Sequence, residues 1–278
     1  MKINWMKFTW LYFLISLLVL IPGIASLLVW GLVPSLDFTG GTVLEVKGES
    51  GIGQLEVNQA ASDLGLDLGN QQLSEEDKNK LLVVLSQKDP TLELVRFETL
   101  GPSLGRELLI KTGLAIILAT LAILLYLTFQ FKQKVFGIAA IMAMLHDTFI
   151  LLGSFSLLGH FFQVKVDGLF VTALLTILSF SVHDTVVVFD RIRELSRINP
   201  KESLKNIANS AVSQTLVRSV NNSLTIIFML TALVILGGES TRWFATALLI
   251  GTITGTYSST FTAVPLLLVF EKVFRKKK

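Results

Sequence analysis

Ser179-Phe180-Ser181-Val182-His183-Asp184-Thr185-Val186-Val187-Val188-Phe189-Asp190-Arg191-Ile192-Arg193-Glu194 begins inside a long apolar run and ends in a burst of charge. Asp184 lies before that burst, and six residues of helix span about 9 Å. The stretch therefore predicts a membrane-spanning helix. Asp184 falls inside the hydrocarbon, on one side of the midplane, and Asp190 to Glu194 mark the water edge. A carboxylate at that depth costs roughly 3 kcal/mol or more and faces protein or a wet cavity. Ile177, Phe180, Ser181, Val187, Val188 and Arg191 share its helical face. Ser181, one turn away, is within reach of a hydrogen bond. The plainer reading of Asp184 is a structural carboxylate tied to a neighbouring helix.

The rest of the chain fits a membrane protein. Of 278 residues, 51% are apolar and only 16% are charged, where a soluble domain carries about 25% charged residues. Mean hydropathy is +0.64. There is no cysteine, which excludes disulfides and thiolate chemistry.

Four further runs are long enough, at about 20 residues, to cross a bilayer, and a fifth, continuously apolar only from Leu224 to Leu236, crosses if it starts near Thr215. The first is Phe8 to Val33, an uncleaved span with Pro22-Gly23 as a kink and Trp5, Trp10, Tyr12 and Trp30 as interfacial anchors. The other spans are predicted at about 108–131, 135–158, 168–189, 215–236 and 243–270. Between the first two lies different material, residues 34–106, holding most of the acids. It reads as a small α+β domain. Asp37-Phe38-Thr39-Gly40-Gly41 is a turn, Thr42 to Lys47 a strand, Gln54 to Leu64 a helix, and Leu81 to Ser86 and Leu92 to Phe97 strands. Asn199-Pro200-Lys201-Glu202 reads as a helix start. It would open a helix lying in the interface over about 200–214, on the cytoplasmic side. The fold class is an α-helical polytopic membrane protein with six transmembrane helices and a small α+β periplasmic domain between the first and second.

Charge sets the expected orientation. The N-terminus, the 132–134 loop, residues 191–218 and the tail Arg275 to Lys278 are basic and fall on one side if six spans are present. That side is cytoplasmic by the positive-inside rule, so both termini are cytoplasmic and residues 34–106 are periplasmic. In the third span Ala139 and Ala143, with Ser154 further on, allow close helix contact. In the sixth, Gly251, Gly255, Ser259 and Ala263 recur every four residues and predict a close-packed face. In the fifth, Arg218, Asn221, Asn222 and Thr225 make one polar stripe, which turns to protein or water rather than lipid.

Spans three, four and five thus bring His146, Asp147, His183, Asp184 and Arg218 into the membrane. Buried carboxylates and histidines can load and release protons, and an arginine nearby favours a carboxylate's charged form. Moving one charge across 100 mV is worth about 2.3 kcal/mol. The two histidines also read as hydrogen-bonded interior side chains, and Arg218 as a snorkelling end residue. Asp190, Arg193 and Glu194 read as an interfacial charge cluster that fixes helix depth. A metal site is disfavoured, because adjacent residues point about 100° apart and each His-Asp pair offers one ligand to a point. An intramembrane aspartyl protease would need two facing acids, which Asp147 and Asp184 supply, but its Gly-x-Gly-Asp signature is missing. A passive membrane scaffold without its own proton path is the stronger alternative.

Nearly the whole chain resembles the SecF family, the smaller subunits of the SecD–SecF accessory complex of bacterial protein export, within the RND superfamily. The resemblance is carried by Asp37 to Thr42, Leu100-Gly101-Pro102-Ser103-Leu104-Gly105 and Leu145-His146-Asp147. It continues in Asp184 to Glu194, Gln214-Thr215-Leu216-Val217-Arg218, Gly237-Gly238 and Gly251 to Ser259. The span-four run is the most specific of these. The resemblance implies a non-enzymatic subunit of the inner membrane, without cofactor, metal or nucleic acid. The implied partners are SecD, the SecYEG channel, the translocating preprotein and membrane lipid, with YajC as an optional further one. It implies that the proton motive force promotes late steps of translocation. Asp184 and Arg218 stand where the family places proton-transport residues. Position 183, usually Asn in the family, is His here. Asn221 and Asn222 replace a threonine-rich pattern, and Ser35-Leu36 replaces a glycine-led approach to Asp37.

Overall fold

In the computed structural model, residues 4–48, 53–67, 72–131 and 133–275 are described. Lys2, Lys132 and Lys276 to Lys278, all counted in the charge argument, lie outside them. The chain divides into two units, Met1–Val33 with Ile116–Lys278, and Pro34–Ala115.

The larger unit is a helical bundle. A short 3-10 turn, Trp5–Lys7, leads into α1, Thr9–Val29. α5 is Pro102–Gln130, α6 Lys134–Phe162, α7 Gly168–Ile198 and α8 Leu204–Leu236. α9, Glu239–Phe261, is followed by α10, Ala263–Arg275. Among the described residues, six segments are long and apolar enough to cross a membrane, with α9 and α10 together making the sixth. The sixth span breaks at Thr262 because Pro265 has no N–H to give the Phe261 carbonyl.

The fifth span differs from the sequence reading in a second way. No separate interfacial helix occupies 200–214. Ser203 caps a single 33-residue helix, its hydroxyl accepting from the Asn206 N–H, and the helix runs on to Leu236. Residues 199–203, read as its start, form a turn instead. The apolar stripe that suggested a membrane surface turns inward: Ile207, Ala208, Ala211 and Val212 are buried with Leu195, Val264 and Leu267 in the main core. Burial against neighbouring helices removes the reason for a break.

α7 packs on α6, α8 and α9, and α9 packs in turn on α6, α7, α8 and α10. Two apolar cores fill the bundle. One centres on Phe131, Phe136 and Phe189, with ring centroids 5.4–6.0 Å apart. The other centres on Phe155 and Phe170, 4.5 Å apart. α1 packs on α6 through glycine. A Cβ built on Gly153 would fall 2.5 Å from the Gly23 Cα, so the two backbones touch. Beside this crossing the Ser26 hydroxyl donates to Ser156 at 2.7 Å, both buried. The small residues used here are Gly153 and Ser156; Ser154 is only half-buried.

The smaller unit holds α2 (Leu36–Thr39), β1 (Gly41–Lys47), α3 (Gln54–Asp63), α4 (Glu75–Lys88) and β2 (Glu93–Leu100). β1 and β2 pair antiparallel from Gly41–Leu100 to Lys47–Glu93. A register shift at Glu45/Val46 leaves Val95 as the extra residue of a bulge. Residues 81–86, read above as a strand, belong to α4. Ser74 caps this helix by accepting from the Asp77 N–H, three acids follow in the first turn, and Leu81 and Leu85 bury at i, i+4. A short apolar run has no period of its own to reveal this. Leu81 and Leu85 pack on Ala60, Ala61, Leu44 and Leu92. The Gly40-Gly41 turn uses φ values of +69° and +116°, which only glycine adopts freely. Gly105 closes on it, since a Cβ there would lie 2.8 Å from the Gly40 nitrogen. The two motifs flanking this unit in the sequence are thus neighbours in space.

Gly153→Ala should lower the thermal stability of the detergent-solubilised chain by about 1–3 kcal/mol, the usual range for overpacking. Gly113→Ala, where nothing lies within 4 Å of the added carbon, should be neutral or slightly stabilising. Equal melting of both variants would mean that the glycine contact between α1 and α6 carries no weight.

Candidate functional site

Two carboxylates are buried where the central helices meet. Asp147, in the middle of α6, is 1% exposed, and Asp184, on α7, is 9% exposed. Asp147 collects donors from three helices. Its Oδ2 accepts from the Ser181 hydroxyl of α7 at 2.5 Å and the Ser258 hydroxyl of α9 at 2.6 Å. Its Oδ1 lies 2.9 Å from the Nδ1 of His146. Because an ionised carboxylate only accepts, Nδ1 carries the hydrogen in that state. The other ring nitrogen, His146 Nε2, is the one buried side-chain polar atom without a hydrogen-bond partner among the described residues.

Asp184 is held more lightly, its Oδ2 accepting from the Ser219 hydroxyl of α8 at 2.6 Å. Ser181 does not bind Asp184 one turn along, as the spacing suggested, but reaches across to Asp147. Arg218 is next to Ser219 in the chain, yet it is exposed and makes no ion pair among the described residues. His183 is also exposed. So Asp147, His146 and Asp184 converge inside the bundle, while Arg218 and His183 lie on its outer surface. Asn221, Asn222 and Thr225 are exposed beside Arg218. No group of three or more His, Asp or Glu suited to a metal occurs among the described residues.

The small-residue face of α9 makes this convergence possible. A Cβ on Gly251 would fall 2.2 Å from the Ile177 Cδ1 and within 3 Å of two further carbons of that side chain. A Cβ on Gly255 would stand 3.5 Å from the Ser181 Cα and 3.8 Å from Asp147 Oδ2. Ser259 is buried, its hydroxyl bonded to the Thr256 carbonyl. Thr256 itself donates to Ser223 of α8 at 2.6 Å.

The water-edge cluster ties α7 to its neighbours. Arg193 pairs with Asp190 at 2.9 Å and also reaches the Gln130 carbonyl at the end of α5. Gln130 returns a bond to Asp190, and Arg191 donates to Gln214 of α8 at 2.6 Å.

Ser258 and Ser219 escaped the sequence reading. Ser258 lies one position off the four-residue glycine repeat, and Ser219 one position off the polar stripe. The remaining signal was the presence of hydroxyls within a turn of those repeats.

Comparison with known proteins decides the family. The family described as protein export membrane protein SecD/SecF, C-terminal, matches residues 80–273. This chain belongs to the SecD/SecF family. Its relatives include the protein translocase subunit SecF of Thermobaculum terrenum, 39% identical over 99% of this chain and 97% of the relative. SecF of Anaerolinea thermophila is 39% identical over 94% of this chain and 92% of the relative. Among solved structures, SecDF of Thermus thermophilus, a translocon-associated membrane protein, superposes with a TM-score of 0.85 at 30% identity over 98% of this chain. SecDF in a super-membrane-facing form superposes with a TM-score of 0.75 at 29% identity. The chain spans 39–40% of those SecDF chains. It is therefore a SecF-type protein of the translocase family, with a transport role.

Asp147→Leu should destabilise the SecF-type bundle, because it removes the acceptor shared by Ser181 and Ser258. An unsatisfied buried hydroxyl costs about 1–3 kcal/mol, and the loss is smaller at Ser258, whose hydroxyl also reaches the Gly255 carbonyl at 3.3 Å. Asp147→Asn keeps an accepting oxygen and should cost less. Thermal unfolding in detergent measures both. If Leu and Asn melt alike, the carboxylate does not organise the three helices. Gly251→Leu should impair assembly in the same assay, by driving α9 off Ile177.

Proposed function

We propose that this chain works with SecD as a proton-driven unit that promotes late steps of protein translocation through the SecYEG channel. The observation that carries the reading is the pair of buried acids on adjacent helices, Asp147 and Asp184, held by hydroxyls rather than by a cation. Buried acids in spanning helices mark proton or ion paths by default.

The bonding pattern suggests two states. In one, Ser219 holds Asp184, as here. In the other, Arg218 takes its place. The two residues are consecutive and lie about 100° apart around α8, so a turn of α8, with the long Arg218 side chain covering part of that angle, exchanges them. Protonation of Asp184 removes the attraction to the guanidinium and returns Ser219. His146 and Asp147 form the relay toward Asp184, with Nε2 of His146 as the open position for an arriving proton. α1 precedes the smaller unit directly and α5 runs on from it, so a shift in the bundle reaches that unit through the chain itself. We place residues 34–106 in the periplasm and both termini in the cytoplasm, on the lysine and arginine distribution.

Pairing with SecD is supported by the polar groups left on the outer surface. His183, Arg218, Asn221, Asn222 and Thr225 are exposed on spanning helices, where lipid offers no partner. A neighbouring helical subunit supplies one. A passive scaffold is favoured by one observation: every oxygen noted on the two acids already has a partner.

Asp184→Asn keeps size and hydrogen bonding but cannot ionise. It should leave folding and SecD binding intact while abolishing the protonophore-sensitive part of export by inverted vesicles holding SecD and the channel. Arg218→Ala should do the same, and the double variant should be little worse than either, because both act in one step. Full protonophore-sensitive stimulation with Asp184→Asn would instead leave the scaffold reading. Orientation is tested separately. A cysteine placed at Ser203 of this cysteine-free chain should react with an impermeant thiol reagent only from the cytoplasmic side.

A further inference from the structure

At the end of the bundle where the start of α1, the α7–α8 turn and α10 come together, a cavity of about 990 Å³ opens. Its wall is apolar, with Met6, Leu204, Ile207, Leu268 and Val269. Its rim carries Lys201, Lys205 and Lys272. None of these three lysines forms an ion pair with a described residue, and all three are exposed. Two acids, Glu202 and Glu271, share the lining, and Glu271 is already engaged in an interaction of its own. The lining therefore carries three lysines against two acids, a net positive charge of one beside apolar side chains.

The depth fits a bilayer edge. Trp5 lies at this end of the bundle and donates its indole N–H to Ser213 at 2.9 Å, and tryptophan concentrates at headgroup level. Met6 is fixed by its N–H to the Asn209 side chain at 2.8 Å, so the wall formed by the start of the chain is tied to α8. A pocket between spanning helices, basic at its mouth and apolar inside, matches one ligand with both characters.

We propose that this cavity binds one anionic phospholipid, its phosphate on Lys201, Lys205 and Lys272 and its acyl chains along Leu268, Val269 and Ile207. The proposal is independent of the proton path, since no lining residue belongs to the buried acid cluster. A lipid seated there would join α1, α8 and α10 at the end of the bundle where this cavity opens.

The test is native mass spectrometry of the full-length chain, released from detergent after incubation with dioleoyl phosphatidylglycerol or with the phosphatidylcholine of the same acyl chains. The parent should retain one phosphatidylglycerol in preference to phosphatidylcholine. The triple variant Lys201→Gln, Lys205→Gln, Lys272→Gln should retain it roughly 10-fold less. Lys134→Gln with Lys165→Gln, which removes two exposed lysines outside the cavity, should leave retention unchanged. Leu268→Trp, which fills the floor and keeps the charges, should also reduce it. Circular dichroism of the triple variant should match the parent, since its three positions are exposed. Undiminished retention by the triple variant overturns the proposal, and so does an equal loss with the Lys134/Lys165 pair. Displacement of the lipid by millimolar inorganic phosphate would show a headgroup site alone and overturns it as a lipid site. Loss of the lipid when the chain is purified with SecD would make the cavity a protein interface, and overturns it too.

Discussion

The Asp147 carboxylate is the point on which the bundle depends. A charge buried in the middle of a spanning helix is tolerated only when its oxygens are satisfied by the protein. Here that demand falls on α7 and α9 at once, through Ser181 and Ser258. Both helices must come within hydroxyl reach of one carboxylate, and a hydroxyl is short. Gly255 lies against both, since a Cβ there would already be in van der Waals contact with Ser181 and Asp147, and a side chain longer than alanine would press on them. The glycine face of α9, the packing of α7 on α6 and α9 and the buried acid are one solution to one constraint. Without a hydrophobic force between helices in lipid, close backbone approach and interhelical hydrogen bonds do the associating. The same device recurs at a lower cost in α1, where Gly23 meets Gly153 and Ser26 meets Ser156.

What could be read in the chain follows the strength of each periodic signal. Most of the spans were legible because about 20 largely apolar residues have few other meanings. The fifth, apolar over a shorter run from Leu224 to Leu236, was placed by extending it through its polar stripe. The β1 and β2 segments were legible through alternation. α4 was not, because Leu81 to Leu85 is an apolar run too short to show a period, and its helix is set by Ser74 and the acids before it. The start of α8 was misread for a related reason. An amphipathic stripe announces that one face is buried, but not whether lipid or protein buries it. Ile207, Ala208, Ala211 and Val212 are covered by other helices of this chain.

The site divides in the same way. Asp147, His146 and Asp184 stood out because charge in an apolar run is costly, and all three are buried together. Ser219 and Ser258 did not, because a serine in a spanning helix is cheap: its hydroxyl can turn back to its own helix's carbonyl, as Thr148 and Thr176 do here. Nothing local separates a serine that turns back from one that reaches across. His183 was read from its place beside Asp184 and Arg218 from the polar stripe of the fifth span, and neither pattern says which side of the helix meets the bundle.

The two acids differ in how firmly each is held, and this difference bears on which of them can change partners. Asp147 accepts from three groups on α6, α7 and α9, while the bond given for Asp184 comes from α8 alone. Hydrogen bonds to a charged group contribute roughly 1.5–3 kcal/mol each. A movement that releases Asp147 must break bonds to two other helices together, whereas one that releases Asp184 breaks a single side-chain bond, to α8. α8 also carries Arg218, which makes no ion pair among the described residues. α6, α7 and α9 share the Asp147 carboxylate. Under the proposed exchange α8 is the helix that would move: Arg218, one residue before Ser219, would take over the bond to Asp184, while the buried Ile207, Ala208, Ala211 and Val212 face of α8 would have to shift within the main core.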